Sequence, residues 1–269
     1  MTPIAITPLP ATVLHDKPSA HHAALVDEAT ELLRAAVAEF GAAHITQASS
    51  LGAEDMVITH LAQSAGLGIP LFVLQTGALH PETLQLLAEL QADPGLSVSV
   101  YEPDAAHVAD FVAREGQDAM YRSIALRKEC CRIRKLEPLA RALQDKAAWI
   151  TGLRREQSDA RSDVHLRDDS EVPAGKPVKL SPLANWTWGD VWHYIATHHV
   201  PYNPLHDQFF PSIGCAPCTR AITLGEDFRA GRWWWEDDQA RECGLHVHAD
   251  TAPAAGHAPA SPLPGASHA

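Results

Sequence analysis

The chain has 269 residues, of which 46% are hydrophobic, enough for one large α/β domain or two small ones with a sizeable core. Its formal net charge is −12, from 21 basic and 33 acidic side chains. This balance argues against a general nucleic-acid-binding protein, which usually carries a basic face. It still allows a local basic pocket for a small anionic substrate.

Neither a membrane span nor a secretory signal is visible. No apolar run approaches the roughly 20 residues that a membrane helix needs. The first 20 residues lack a basic region followed by an apolar core. We therefore expect the chain to stay in the reducing cytoplasm, where paired cysteines more often serve metal or redox chemistry than structural disulfides.

Hydrophobic periodicity predicts helices and strands that alternate along the chain. Helices are predicted at 23–40, 54–65, 81–91, 105–115, 123–143 and 187–198, and strands at 44–48, 70–75, 96–101, 148–151 and 178–180. The alternation indicates an α/β fold with a doubly wound, mainly parallel sheet, in which ligands bind beyond the carboxyl ends of the strands. Residues 1–20 are predicted to be a mobile arm, and residues 251–269 a disordered tail that has too little apolar surface to order itself.

Three stretches carry residues that suit an anion. The turn at 49–53 joins a strand to a helix, and its small residues would let backbone N–H groups approach an anion, with an ordinary capped turn as the equal alternative. The strand at 148–151 is followed by Arg154, Arg155 and Arg161, whose guanidinium groups suit phosphate and sulfate oxygens. The tryptophans at 233–235 follow two arginines and indicate a loop over a ligand, a core plug or a subunit contact.

The five cysteines form two pairs and one single residue. Cys130-Cys131 lies 84 positions before the C-x-x-C pair, counted from Cys131 to Cys215, and Cys243 stands alone near the C-terminus. The C-x-x-C by itself fits zinc, dithiol exchange or half of an iron–sulfur site. Adjacent cysteines on a helix diverge, so they fit one tetrahedral ion poorly but can reach two irons of a cubane, provided that the helix is locally strained. The spacing favours an iron–sulfur cluster, with four reduced thiols as the alternative.

Cys243 is a candidate nucleophile. It lies outside both pairs and just before the predicted disordered tail, and exposed thiols in mobile segments react readily. The alternative is an incidental surface thiol.

Taken together, these motifs resemble the assimilatory adenylyl-sulfate reductases of bacteria and plants, within the wider phosphoadenylyl-sulfate reductase family. The resemblance runs from about residue 45 to residue 247 and rests on the segments 130–135, 151–155, 214–218, 225–236 and 242–246, which occur together and in order. It implies the adenine-nucleotide alpha-hydrolase-like fold of pyrophosphatase-loop enzymes. In that fold, residues 21–235 form the nucleotide-binding reductase domain and residues 236–250 the catalytic-cysteine segment.

The resemblance also implies the cofactor and the chemistry. One 4Fe–4S cluster is ligated by Cys130, Cys131, Cys215 and Cys218. Cys243 attacks the substrate sulfur, AMP leaves, and a cysteine S-sulfonate remains until thioredoxin or a glutaredoxin-like dithiol releases sulfite. Relatives specific for the 3′-phosphorylated substrate commonly lack both cysteine pairs, so adenylyl sulfate is the implied substrate.

The same resemblance implies the substrate-binding residues, which are Ser49, Ser50, Gly52, Thr76, Gly77, Lys135, Gly152, Arg154, Arg155, Arg161, Arg229 and Arg232. Physical reasoning agrees, because attack at a sulfur next to AMP needs the charge of the leaving phosphate to be stabilised. The external dithiol supplies the electrons. Our hypothesis is therefore that the cluster acts electrostatically and structurally, through Lys135.

Other functions stay open. One is a reductase for 3′-phosphoadenylyl sulfate or for both nucleotides. Another is a zinc or iron–sulfur module that senses redox state. A third is an electron-transfer protein, in which Cys243 would have no role. The sequence leaves the oligomeric state undecided, a homo-oligomer included.

Overall fold

A six-stranded sheet, in the order β3-β2-β1-β4-β6-β5, organises the part of the chain that the computed structural model describes, residues 9–223 and 225–236. The strands are β1 (Ile45–Ser49), β2 (Leu71–Leu74), β3 (Val98–Tyr101), β4 (Ala148–Ile150), β5 (Arg167–Asp168) and β6 (Val178–Leu180). All pairings are parallel except the one between β5 and β6. The predicted mainly parallel α/β fold is confirmed. The short edge strand β5 was not predicted.

Helices flank the sheet and bury its faces. They are α1 (Ala11–Leu14), α2 (His22–Phe40), α3 (Ala53–Ser64), α4 (Pro81–Ala92), α5 (Ala105–Glu115), α6 (Ile124–Cys131), α7 (Glu137–Leu143) and α8 (Trp188–His198). The main core joins residues of α2, α3, α4 and α8 to those of the central strands. Among the described residues, no helix combines the length and apolar character that crossing a bilayer requires.

The strand order places a topological switch point beside β1. From β1 the chain moves outward through β2 and β3, and it then returns to the other side of β1 to form β4 and β6. The connections that leave β1 and β4 therefore diverge, which opens a crevice at the carboxyl edge of the sheet. The turn after β1 and the Thr151-Gly152 pair after β4 both lie there.

The predicted helix at 123–143 is interrupted by a π-helical turn, Arg132–Leu136, between α6 and α7. The sequence explains the interruption in part. Pro138 has no N–H to donate to the carbonyl of Arg134, so the α-helical bond pattern cannot continue through this turn. The wider turn begins directly after Cys131, and π-turns of this kind are frequent at functional sites. The helix is thus irregular beside the cysteine pair, where a local strain or kink was expected.

The described part of the predicted mobile arm is packed. Helix α1 lies against α8, and Ala11 is buried. The Ala11 N–H donates to Asp207 Oδ1 at 2.7 Å, and the Ser19 N–H donates to Asp190 Oδ1 at 2.8 Å. Two carboxylates distant in sequence thus anchor residues 9–20, which pattern analysis could not foresee. Residues 1–8, and the tail predicted at 251–269, lie outside the described residues.

Asp190 is expected to stabilise this arrangement measurably. Its carboxylate caps α8 through the N–H and hydroxyl of Thr187, at 3.0 and 2.7 Å, as well as holding Ser19. Replacing Asp190 with Ala removes these bonds and should lower the free energy of unfolding by about 2 kcal/mol. The control Asp110→Ala removes an exposed carboxylate and should stay within about 0.5 kcal/mol. Equal effects of the two changes in denaturant titrations would contradict the anchoring role.

Candidate active site

A cleft at the carboxyl edge of the sheet gathers most of the residues that the sequence assigned to substrate. The loops after β1, β2 and β4 form one wall, and the returning chain at 211–214 and 228–233 forms the other. The predicted residues that line it are Ser49, Ser50, Gly52, Thr76, Lys135, Gly152, Arg161, Arg229 and Arg232. Separate loops therefore converge on one space, as the strand order requires.

Three predicted substrate residues lie elsewhere. Arg154 is fully buried and pairs with Glu54, Nε to Oε1 at 3.0 Å, and with Glu156, Nη1 to Oε2 at 2.8 Å. Arg155 turns the other way, donating to the Val164 carbonyl at 2.8 Å and to Asn185 Oδ1 at 2.5 Å. These two arginines brace the loop after β4 behind the cleft. Gly77 lines the adjoining cavity that contains the cysteines.

The turn after β1 already uses its own backbone donors. Asp55 Oδ2 accepts from both the N–H and the hydroxyl of Ser50 at 2.6 Å, and the Ala53 N–H donates to His206 Nε2 at 3.2 Å. Leu51 adopts a left-handed conformation, with φ of 63°. A Cβ on Gly152 would lie 2.5 Å from Asp55 Oδ1, so only glycine fits there. An anion that approaches this turn must therefore compete with Asp55.

Burial sets the charge of the acidic and imidazole groups at this turn. Desolvation raises the pKa of Asp55 to about 6, although hydrogen bonds from Ser50 oppose the shift. Desolvation likewise lowers the pKa of His206 to about 4, which keeps its Nε2 an acceptor for Ala53 at neutral pH. Asp55 therefore titrates just below neutrality, whereas His206 stays uncharged.

The opposite wall is basic. The Arg232 guanidinium lies 4.7 Å and the Arg229 guanidinium 6.0 Å from the ring of Trp233, within the range of cation–π contacts. Gly214 makes room for Arg232, because a Cβ there would overlap its guanidinium. Lys135 enters the cleft from the π-turn. A protein of net charge −12 thus concentrates positive charge where an anionic substrate would sit.

All four paired cysteines line a second cavity, which adjoins the cleft. Its walls include Cys130, Cys131, Cys215 and Cys218, and Lys135, Cys215 and Trp233 line both spaces. Within the described ranges, none of these four cysteines forms a disulfide bond. The two pairs that stand 84 positions apart in the sequence thus line one cavity. Among residues 9–223 and 225–236, no three His, Cys, Asp or Glu side chains are grouped to hold a single metal ion.

Burial raises the pKa of two thiols in this cavity, those of Cys130 and Cys218. Desolvation raises the pKa of Cys218 to about 11, with Cys215 adding to the shift and Lys135 opposing it. Desolvation also raises the pKa of Cys130, against the opposing effect of Arg134. Thr76 Oγ1 lies 3.2 Å from Cys215 Sγ. Bound metal would reverse these pKa shifts, because thiolates are the ligating form.

Several residues that contribute to the site were not predicted from the sequence. Asp55 and His206 act through contacts between distant loops, and Gln157 links Glu54 to Arg161 through its side-chain amide, at 2.9 and 2.6 Å. A buried Arg127 pairs with Glu236. Their residue types give no motif, so the only available signal was polar character inside otherwise apolar segments. Cys243, the predicted nucleophile, lies outside the described residues.

The sheet order and the cleft define an α/β fold of the adenine-nucleotide alpha-hydrolase type. A solved phosphoadenylyl-sulfate reductase from Candida auris, in a phosphate complex, matches with 25% identity and a TM-score of 0.59, over 74% of this chain and 97% of that one. An FMN adenylyltransferase from Candida glabrata, at 12% identity and a TM-score of 0.54, covers 87% of this chain and 83% of its own, and shares the fold.

Family comparison agrees with the fold. The family model described as phosphoadenosine phosphosulfate reductase domain matches residues 44–221, and the chain belongs to this family. An adenosine 5′-phosphosulfate reductase from Allochromatium vinosum is 52% identical over 202 residues, 75% of this chain and 78% of the relative. Another, from Burkholderia cepacia, is 49% identical over 219 residues, 81% of this chain and 87% of the relative.

Anion affinity should depend on the protonation of Asp55. As the pH falls through about 6, Asp55 becomes neutral, its hold on the Ser50 donors weakens, and repulsion of an anion disappears. We expect sulfate, which keeps its charge over this range, to bind more tightly at pH 5.5 than at pH 7.5, by about threefold to tenfold. Calorimetric titration measures this, and Asp55→Asn should flatten the dependence. If sulfate affinity depends equally steeply on pH in the variant, another group causes the dependence, and the prediction is wrong.

Proposed function

We propose that this chain reduces adenylyl sulfate to sulfite and AMP in sulfate assimilation. The observation that carries the proposal is the junction of an anion-suited basic cleft with a cavity lined by two cysteine pairs, sharing Lys135, Cys215 and Trp233. Relatives about 50% identical over most of the chain bear the name of this activity. The reaction belongs in the cytoplasm, where a dithiol donor keeps the cysteines reduced.

The reaction starts with Cys243. Its thiolate attacks the sulfur of adenylyl sulfate, a new S–S bond forms, and the S–O bond to the phosphate breaks with the electron pair leaving on AMP. Arg229, Arg232 and Lys135 line the cleft where the phosphosulfate would bind, so their charges would stabilise the leaving phosphate. The product on the enzyme is a cysteine S-sulfonate.

A dithiol completes the turnover. One thiolate of thioredoxin or of a glutaredoxin-like protein attacks the Cys243 sulfur and expels sulfite, which leaves a mixed disulfide. The second thiol of the donor then releases Cys243, and the donor becomes a disulfide. Two electrons pass from the dithiol to sulfur, so this route needs no other reductant.

We assign Cys130, Cys131, Cys215 and Cys218 as ligands of one 4Fe–4S cluster. The fit rests on four thiols lining one cavity, on basic Arg134 and Lys135 beside them, and on the buried Trp233 indole N–H, which has no hydrogen-bond partner among the described residues. When bound, the cluster supplies a structural and electrostatic centre beside the substrate charge. This chain's own residues bind and orient the substrate.

The substrate alternative is 3′-phosphoadenylyl sulfate, alone or with adenylyl sulfate. The family description names the phosphorylated nucleotide, whereas the relatives quoted above are named for the unphosphorylated one. Comparing kcat/KM for the two nucleotides decides between them.

The proposal predicts a covalent intermediate on Cys243. Anaerobically purified protein mixed with adenylyl sulfate, without thioredoxin, should carry one sulfonate adduct, which peptide mass spectrometry should locate at Cys243. Cys243→Ser should form no adduct and no sulfite, because the hydroxyl is a far weaker nucleophile. AMP affinity should be unchanged in the variant. Sulfite production by Cys243→Ser, or no adduct on the wild type, would refute the mechanism.

We expect Lys135 to raise the rate of S-sulfonate formation from its place between the cysteine cavity and the cleft. Because Lys135 lines both cavities, Lys135→Ala should slow S-sulfonate formation at least about tenfold while iron content is unchanged. The matched control is Lys128→Ala, since Lys128 is exposed on α6 and should leave the rate within about twofold. An unchanged rate in Lys135→Ala, measured in single turnover, would contradict the electrostatic role.

A further inference from the structure

The turn at 233–236 is bonded to both cysteine segments. The Trp233 N–H donates to the Cys218 carbonyl at 3.2 Å, and the Glu236 N–H closes the turn on the Trp233 carbonyl at 2.9 Å. The Glu236 carboxylate accepts Nε and Nη2 of Arg127, both at 2.8 Å. Arg127 lies on α6, three residues before Cys130. The turn therefore bridges the two halves of the cysteine site.

This bridge is a buried, bidentate ion pair. The side chains of Arg127 and Glu236 are 0% and 3% exposed, and the guanidinium lies 4.5 Å from the Trp233 ring. Removing two charges from water is costly, and apolar residues of similar volume often give equal stability. A bidentate pair does give a fixed geometry that apolar contacts lack. Positioning is therefore the stronger explanation for burying charge here.

Glu236 is the last described residue before the segment that carries Cys243. Cys243 follows seven positions after Glu236, with six residues between them. Even a fully extended chain of that length spans at most about 25 Å, so the place of Glu236 limits where the Cys243 sulfur can go. Trp233, in the same turn, lines the substrate cleft. The start of the segment is thus held beside the cleft.

We propose that Arg127 and Glu236 are positioning residues, which fix the start of the Cys243 segment on both halves of the cysteine site. The inference rests on the proposed role of Cys243. A fixed start raises the effective concentration of the thiol near the bound nucleotide, because the short tether begins at a defined point. It also makes delivery of the thiol depend on the integrity of both cysteine segments.

The decisive variant removes both charges at once, Arg127→Met together with Glu236→Met, in the anaerobically purified full chain. Neither side chain is then left buried with an unpaired charge, so the melting temperature should exceed that of Arg127→Met alone. The single-turnover rate of sulfonate formation at Cys243 should fall at least about tenfold, while the Kd of AMP changes by less than about threefold. Recovery of both stability and rate in the double variant would make the pair merely structural and overturn the proposal.

A second readout does not depend on catalysis. Hydrogen exchange in peptides covering 225–236 should accelerate about tenfold in the double variant, while peptides covering α2 keep wild-type protection. Unchanged exchange at 225–236 would overturn the proposal. If the wild type forms no sulfonate at all, the proposed function fails, and hydrogen exchange still decides whether the pair anchors the turn.

Two further variants complete the design. Arg127→Lys keeps the charge but loses the bidentate fork, so it should slow the reaction and raise exchange even if the double variant folds poorly. The matched control is Arg141→Met with Glu137→Met, an exposed Arg–Glu pair on α7. This control should leave the rate of sulfonate formation, the hydrogen exchange at 225–236 and the AMP affinity unchanged. If the control loses as much rate as the double variant, the effect is not specific to the Arg127–Glu236 pair, and the proposal is wrong.

Discussion

The meeting of two distant cysteine segments at the carboxyl edge of a parallel sheet is the constraint on which the rest of the site depends. One segment reaches this edge through α6 and its π-turn, and the other through the chain that returns after α8. Burial raises the pKa of the Cys130 and Cys218 thiols, so these two need nearby positive charge if they are to ionise. Lys135 meets that need and also faces the substrate cleft.

The arginines behind the cleft and within it differ in their contacts. Arg154 is neutralised by carboxylates and braces the loop behind the cleft, whereas Arg229 and Arg232 lie against the face of Trp233 within it. An aromatic face orients a guanidinium without cancelling its charge. Arg229, Arg232 and Lys135 all line the cleft, so the proposed leaving group would meet basic side chains already in position.

The sequence predicted the features that arise from local pattern. Alternating periodicity was enough for the parallel sheet, and the strand ends located the turn at 49–53 and the glycine at 152. Roles that depend on contacts between residues distant in sequence could not be predicted from it. Arg154 follows a strand as expected, but its pairing with Glu54 turns it away from the cleft. Helix α1 is four residues long, too short for periodicity, and docks through Asp207. Asp55 acquires its raised pKa only from burial in the folded protein.

The central claim is that the two cysteine pairs form one site for a four-iron cluster beside the substrate cleft. Iron and acid-labile sulfide analysis of anaerobically purified protein tests it most directly. The account predicts about four irons and four sulfides per chain, lost when either Cys130 or Cys218 is replaced with serine. Stoichiometric zinc, or a chain that binds neither metal and still forms the S-sulfonate at full rate, would contradict it.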